Sequence, residues 1–220
     1  VIPPFRVYLF DVDGTLLDSA PDICGAVREV LAETSAAGVD DAFLKRYIGK
    51  HLFELFQDVL PGCSAPEMES LLARYRRVYP ARGHRATRVY PGVVDGLRRL
   101  GGLKSTATTK GTPTLTALFE QFGLRGFFHH LQGTDGFPAK PAPDVIHKSL
   151  DHFRARPQEC LFVGDSATDM AAGRAAGVNI CAVRYGYGDV AEMAHYEPDY
   201  WIQDLGELCP APAVTSKADT

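Results

Sequence analysis

The stretch Val7-Tyr8-Leu9-Phe10-Asp11-Val12-Asp13-Gly14-Thr15-Leu16 constrains this chain more than any other. Val7 to Phe10 are β-branched, aliphatic or aromatic and read as a buried strand. The apolar run stops at two carboxylates separated by one residue. Gly14 then allows a sharp turn, because it tolerates backbone angles other residues avoid. In an open α/β sheet, the C-terminal end of a strand is where ligands bind. Asp and Gly are also common turn residues, so Asp-x-Asp-Gly alone has a bland reading. Two buried carboxylates this close repel, and the repulsion raises at least one pKa. A divalent cation is one remedy, and magnesium favours oxygen ligands. Division of labour is another, with one carboxylate attacking while its protonated neighbour donates a proton.

Composition narrows the class. A chain of 220 residues, 45% hydrophobic and 23% charged, can bury a core in one or two domains. A net charge of −4 provides no general footprint for nucleic acid. No apolar run reaches the ~18 residues of a membrane span. Pro3, Pro4 and Arg6 break up the opening residues, so no signal peptide is expected there. The cysteines, Cys24, Cys63, Cys160, Cys181 and Cys209, are odd in number, widely spaced and without Cys-x-x-Cys. Free thiols in a reducing cytoplasm are the expectation. Monomer and homodimer both stay open.

Periodicity predicts an interrupted α/β pattern. Ser19-Ala20-Pro21-Asp22 has a capping-box-like start. Helices are expected from there to Gly38, then over Asp40–Ile48, Leu52–Leu60 and Ala65–Tyr79, the last with a stripe of Met68, Leu71, Leu72, Tyr75 and Tyr79. Residues 19 to about 83 therefore read as a helical module. The α/β alternation resumes at Val89-Tyr90-Pro91-Gly92. Strands are predicted at Leu103–Thr108, Phe127–Leu131, Leu161–Val163, Val178–Val183 and Tyr200–Ile202. Helices are predicted between them, including Pro113–Phe122, Pro143–Phe153 and Thr168–Ala176. That alternation implies a doubly wound parallel sheet. From about Pro210 the pattern vanishes and a loose tail is expected.

Three further stretches could serve Asp11. Gly164-Asp165-Ser166-Ala167-Thr168-Asp169 again delivers an acid from an apolar strand to a helix start, although Asp, Ser and Thr also simply cap helices. Asp165 and Asp11 can converge on one metal, with Asp169 a direct or outer ligand. Thr106-Ala107-Thr108-Thr109-Lys110 ends a predicted strand with hydroxyls and amides able to hold a phosphoryl oxygen, although threonine is also an ordinary strand residue. Ala139-Lys140-Pro141-Ala142-Pro143-Asp144 fixes a lysine in a proline-stiffened loop, where an ammonium can neutralise phosphate charge.

In order and character, these four stretches resemble the motifs of the haloacid dehalogenase (HAD) superfamily, from Tyr8 to about Leu208. The nearest likeness is to phosphoglycolate phosphatase-like members, through Tyr90-Pro91-Gly92-Val93, Lys140-Pro141-x-Pro143, Gly186-Tyr187-Gly188 and Pro198-Asp199. Such members often carry Asn where this chain has Thr109. The resemblance implies a Rossmann-like α/β core, residues 1–18 and 84–220, with an inserted all-helical cap, residues 19–83. It implies a magnesium-dependent phosphatase of small phosphorylated metabolites, phosphoglycolate foremost. Asp11 would be the nucleophile, forming an aspartyl-phosphate. Asp13 would be the acid and base. Thr108 and Lys140 would hold the phosphoryl group, with Gly14 and Thr109 beside the substrate. Mg2+ would be held by Asp11, Asp165, the Asp13 carbonyl and, directly or not, Asp169. Lys50 and His51, in a Gly49-Lys50-His51 turn between cap helices, would face the substrate.

A phosphosugar mutase of the β-phosphoglucomutase type would share this machinery. A phosphonoacetaldehyde hydrolase would need a cap Schiff-base lysine, for which Lys45 and Lys50 are the candidates. A non-catalytic binding protein on the same scaffold is the alternative from another class. Asp13 favours phosphoryl transfer over dehalogenation, because a halide leaving group needs no acid. The run Arg74, Arg76, Arg77, Arg82, Arg85, Arg88 with His84 reads as a solvated basic face. His129 and His130 read as structural.

Overall fold

The computed structural model describes residues 1–209, so the tail expected from Pro210 lies outside the described residues. Strand β1 (Val7–Phe10) and the two-residue β2 (Leu17–Asp18) precede helices α1 (Ala20–Leu31), α2 (Asp41–Lys45), α3 (Leu52–Val59) and α4 (Ala65–Ala81). Then follow β3 (Arg88–Val89), α5 (Val93–Arg99), β4 (Leu103–Thr106), α6 (Thr112–Gln121), α7 (Asp144–Phe153), β5 (Cys160–Gly164), α8 (Ala167–Ala176), β6 (Asn179–Val183), α9 (Val190–Ala194) and β7 (Tyr200–Ile202).

The main sheet is parallel throughout, in the order β4-β1-β5-β6-β7. Its strands alternate between two cores, as period-two side chains must. Tyr8 and Phe10 join Leu161, Val163, Cys181 and Val183 on one face, under α5 and α6. Val7 and Leu9 join Cys160, Phe162, Ile180 and Ala182 on the other, under α7 and α8. Burial on both faces explains why β1 and β5 read as unbroken apolar runs. The doubly wound α/β class is thus observed.

Helices α1–α4 pack around a hydrophobic cluster of their own, centred on Val27, Leu31, Leu55 and Phe56. The chain leaves for them and returns through an antiparallel ribbon, with Leu17 opposite Val89 and Asp18 opposite Arg88. Among the described residues, no helix is long and apolar enough to cross a membrane. All five cysteines are free thiols.

Several sequence expectations need correction. Phe127–Leu131 is not a strand: Arg125–Phe127 form a 3-10 turn, and the following residues run along the edge of β4. There the Lys104 N–H donates to His129 Nδ1 at 3.1 Å instead of to a main-chain carbonyl, so an imidazole closes the sheet edge. Ser19 does not cap α1, because its hydroxyl donates to Asp13. Asp22 is likewise diverted, accepting from Ala86 N, Thr87 N and Thr87 Oγ1 at 2.8–2.9 Å. Helix α2 stops at Lys45, short of Ile48. Nor is the basic run a uniformly solvated face: Arg82 lies between Asp22 and Glu29, and His84 is buried edge-on to Tyr79.

The α8–β6 contact is tight enough to overturn a local preference. Alanine inside a helix ordinarily gains about 1 kcal/mol over glycine. A Cβ on Gly173, however, would lie 2.2 Å from Ile180 Cγ2, a stiff, fully buried side chain. Overpacking of that kind costs about 1–3 kcal/mol. Gly173→Ala is expected to lose on the order of 1 kcal/mol in urea unfolding; a gain would contradict this packing.

Candidate active site

The sheet order makes β4, β1 and β5 neighbours, so their C-terminal ends form one rim. Asp11 follows β1, and its N–H continues the ladder to Val163 O at 2.9 Å. Asp165 follows β5. Gly14 has φ +89°, and a Cβ there would lie 2.1 Å from Asp165 Oδ2. Only glycine lets the β1 turn lie against that carboxylate. Thr15 Oγ1 donates to Asp165 Oδ1 at 3.2 Å, and the Tyr187 N–H donates to Oδ2 at 2.8 Å.

Lys140 reaches this rim from its loop before α7 and is buried. Its Nζ donates to Asp11 Oδ1 at 2.6 Å, to Asp169 Oδ1 at 2.5 Å and to Ala107 O at 3.0 Å. An ammonium has three protons, and each has a partner here. Burial pulls the Lys140 pKa down, but Asp11 and Asp169 outweigh it and the net direction is up, so the lysine stays charged. Asp169 uses its other oxygen within its own turn, where Ser166 N and Oγ donate to Oδ2 at 3.0 and 2.6 Å. Asp11 Oδ2 is different: it is buried and has no hydrogen-bond partner among the described residues.

Asp11, Asp165 and Asp169 each offer an oxygen within 4.8 Å of the others. Three buried carboxylates against one ammonium leave surplus negative charge. Burial pushes Asp11 up to about 7; Lys140 pulls against this, while Asp169 and Asp13 add to it. Burial, then Asp169 and Asp11, push Asp165 well above the usual range, against the pull of the Tyr187 amide. An all-oxygen donor set with an excess of negative charge fits a hard divalent cation such as magnesium. Asp11 and Asp165 have the geometry to hold it. Asp169 also offers an oxygen to the cluster, and its Oδ1 pairs with Lys140 while its Oδ2 accepts two bonds from Ser166.

The Asp13 side chain lies outside that trio. Ser19 donates to its Oδ1, and Lys110 Nζ stands 3.0 Å from its Oδ2. Lys110 also donates to the Tyr79 hydroxyl at 2.9 Å, which links the rim to α4. Burial lowers the Lys110 pKa, but Asp13 and then Tyr79 and Tyr75 outweigh it, and the net direction is up. The sequence points to no site role for Lys110 or Thr15, and for Ser19 only to a helix cap. For Lys110 the signal was its place just after the β4 threonines. Its partner follows only from strand order, since Phe10 is opposite Thr106 and the two chains run on side by side.

Thr108 is buried at the same rim; its hydroxyl accepts from Lys110 N at 3.3 Å and its carbonyl from Thr134 Oγ1 at 2.9 Å. A cavity of about 830 Å³ lies between the rim and α1–α4. Asp13, Thr109 and Lys110 line its floor, and Lys50, His51 and Arg76 line the helical side. His51 is also a helix cap, its Nδ1 accepting from Phe53 N at 3.2 Å. Lys50 Nζ lies 5.4 Å from the centre of the Tyr47 ring. Lys50 and His51 thus share the cavity with Asp13 but stand on its opposite wall.

This arrangement matches known proteins over most of its length. Residues 8–183 match the family described as haloacid dehalogenase-like hydrolase. A protein of Pseudomonas aeruginosa named phosphoglycolate phosphatase 1 is 34% identical over 215 residues, covering 93% of this chain and 79% of that one. A phosphoglycolate phosphatase of Nitrosospira multiformis is 33% identical, covering 93% of this chain and 94% of its own. A haloacid dehalogenase-like hydrolase from Bacteroides fragilis superposes with a TM-score of 0.87 at 30% identity, covering 93% of this chain and 99% of that one. A family member from Streptococcus pneumoniae gives 0.85 at 28% identity, with 93% and 96% covered. The length of the family match and the identity to these relatives carry one conclusion: this chain belongs to the haloacid dehalogenase-like hydrolase family.

Proposed function

We propose that the chain is a magnesium-dependent phosphatase of small phosphorylated metabolites, with phosphoglycolate the leading substrate. One observation carries the chemistry: Asp11 has one oxygen fixed by Lys140 and the other buried without a partner. A carboxylate so held can present a single aimed nucleophile. Asp11 Oδ2 attacks phosphorus and forms an acyl-phosphate bond as the bond to the leaving oxygen breaks. Asp13, facing the cavity, supplies the proton to that oxygen. It then takes a proton from the water that cleaves the aspartyl-phosphate, regenerating Asp11 and releasing phosphate.

Lys140 holds one oxygen of Asp11, and Thr108, buried at the same rim, would donate its hydroxyl to a phosphoryl oxygen. Asp11, Asp165 and the Asp13 carbonyl would hold magnesium, which supplies charge neutralisation between an anionic nucleophile and an anionic ester. Helices α1–α4, as a cap over residues 19–83, would exclude water and read the leaving group. Lys50, His51 and Thr109, which line the cavity, would contribute to that reading. The named relatives support the phosphatase class. The free thiols support a cytoplasmic setting.

The test is phosphate release from a panel of phosphorylated metabolites, with and without magnesium. The parent is expected to release phosphate only with magnesium, and Asp11→Asn to lose at least about a thousandfold in kcat. Undiminished turnover by Asp11→Asn would remove Asp11 as nucleophile. Transfer of phosphate between sugar positions without net release would favour the mutase reading.

The acid cluster also predicts a pH signature. A carboxyl whose pKa is higher folded than unfolded binds more protons in the folded state. Its contribution to stability therefore falls as pH rises from the ordinary value to the folded one. For Asp11 that window runs from 3.8 to about 7. In chelator, this site should lose stability across the window, and the gain in Tm on adding magnesium should grow with pH through it. Thermal melts from pH 5 to 8 check this. A magnesium effect that shrinks with rising pH would contradict the charge account.

A further inference from the structure

Tyr187 touches two places that catalysis has to coordinate. Its main-chain N–H donates to Asp165 Oδ2 at 2.8 Å. Its hydroxyl donates to Asp18 Oδ1 at 2.7 Å and accepts from the Ala20 N–H at 2.9 Å. Asp165 belongs to the acid cluster. Asp18 ends β2, and Ala20 begins α1, so the hydroxyl sits where the chain crosses into the helical layer. Asp18 is also opposite Arg88, where the chain returns. The Tyr187 ring, though carried by a loop after β6, packs against the hydrophobic cluster of α1–α4.

The link has little slack. A Cβ on Gly188 would lie 2.0 Å from the Asp165 carbonyl oxygen, and one on Gly186 2.3 Å from Asp165 Cβ. The loop backbone therefore lies directly on Asp165. A second strand of contacts runs beside the first: Tyr185 donates from its hydroxyl to Thr15 O at 2.8 Å, and Thr15 holds Asp165 Oδ1. If the β2–β3 ribbon pivots, two outcomes are open. Either the Tyr187 hydroxyl lets go of Asp18 and Ala20, or the loop follows and its amide shifts against Asp165.

We propose that Tyr187 is a positioning residue that couples the seating of α1–α4 to the orientation of Asp165. This rests on the reading of Asp165 as a metal ligand. Coupling between sites is reciprocal. Cap seating that orders Asp165 raises magnesium affinity, and magnesium bound at Asp165 steadies the hinge ribbon by the same factor.

The experiment uses magnesium alone, without substrate. Amide hydrogen exchange is followed across Leu17–Asp18 and Arg88–Val89, and magnesium affinity is measured by calorimetry. The proteins are the parent, Tyr187→Phe and Asp18→Ala. Tyr187→Phe keeps the main-chain N–H on Asp165 and removes only the hydroxyl. The ribbon is read instead of Ala20, whose amide loses its partner directly. In the parent, magnesium should slow exchange across the ribbon. In Tyr187→Phe that slowing should largely vanish, with magnesium affinity weakened about fivefold, the size of one hydrogen bond's net contribution. Asp18→Ala breaks the link from the hinge side and should reproduce both effects. Parental magnesium affinity and undiminished slowing in Tyr187→Phe would overturn the coupling. So would exchange that rises equally with and without magnesium, the mark of a purely structural role. Failure of the parent to bind magnesium would overturn the metal reading itself, and the coupling with it.

Discussion

The Lys140 ammonium, locked between Asp11 and Asp169, is the interaction on which the rest of the site depends. A buried ion pair is weak evidence for stability, because desolvation offsets much of the attraction. Its value here is geometric. It takes one oxygen from each carboxylate, adds a bond to Ala107 O at the end of β4, and so ties the ends of β1 and β4 to the first turn of α8. Removing one partner of such a pair leaves an uncompensated buried charge, at a cost of about 3–5 kcal/mol. The same lock leaves Asp11 with one bound and one free oxygen. The contact offsets only part of the charge of Asp11, Asp165 and Asp169, so the cluster keeps an excess of negative charge.

Around that lock the chain separates two jobs. The parallel sheet fixes the acids to within side-chain reach of one another, on backbone that is buried on both faces. The helical layer contributes the opposite wall of the cavity and connects through the short β2–β3 ribbon. Lys110 bridges the two, pairing with Asp13 below and Tyr79 above. Ser19, at the ribbon, also holds Asp13. Asp13, the proposed acid and base, is therefore tied to the β2–β3 ribbon and to α4, while Asp11, the proposed nucleophile, is tied to the sheet and to the Lys140 loop.

Much of this was legible in the sequence. Val7–Phe10 and Leu161–Val163 are apolar runs too short for helices, each ending at an acid. A parallel sheet brings such ends to one rim, so the sequence alone sets Asp11 and Asp165 together. What escaped was the choice of partner. Ser19 and Asp22 sit in a pattern that caps helices, yet both were claimed by more distant groups, Asp13 and the Thr87 segment. Phe127–Leu131 has strand composition, but an imidazole took the edge donor a strand would have needed. Lys110 and Tyr187 lay in stretches already noted, but their partners are 97 and 22 residues away in the chain, across strand order that periodicity cannot supply.

The central claim is that the free oxygen of Asp11 takes the phosphoryl group. The most direct measurement is a single turnover with magnesium and the best substrate of the panel, quenched in acid within milliseconds. The quenched protein is digested, and its peptides are weighed. This account predicts a transient phosphoryl group on the peptide containing Asp11, sensitive to hydroxylamine and decaying as phosphate appears. Phosphate formed in the same turnover with no phosphorylated peptide at any time, or with the group on another residue, would contradict it.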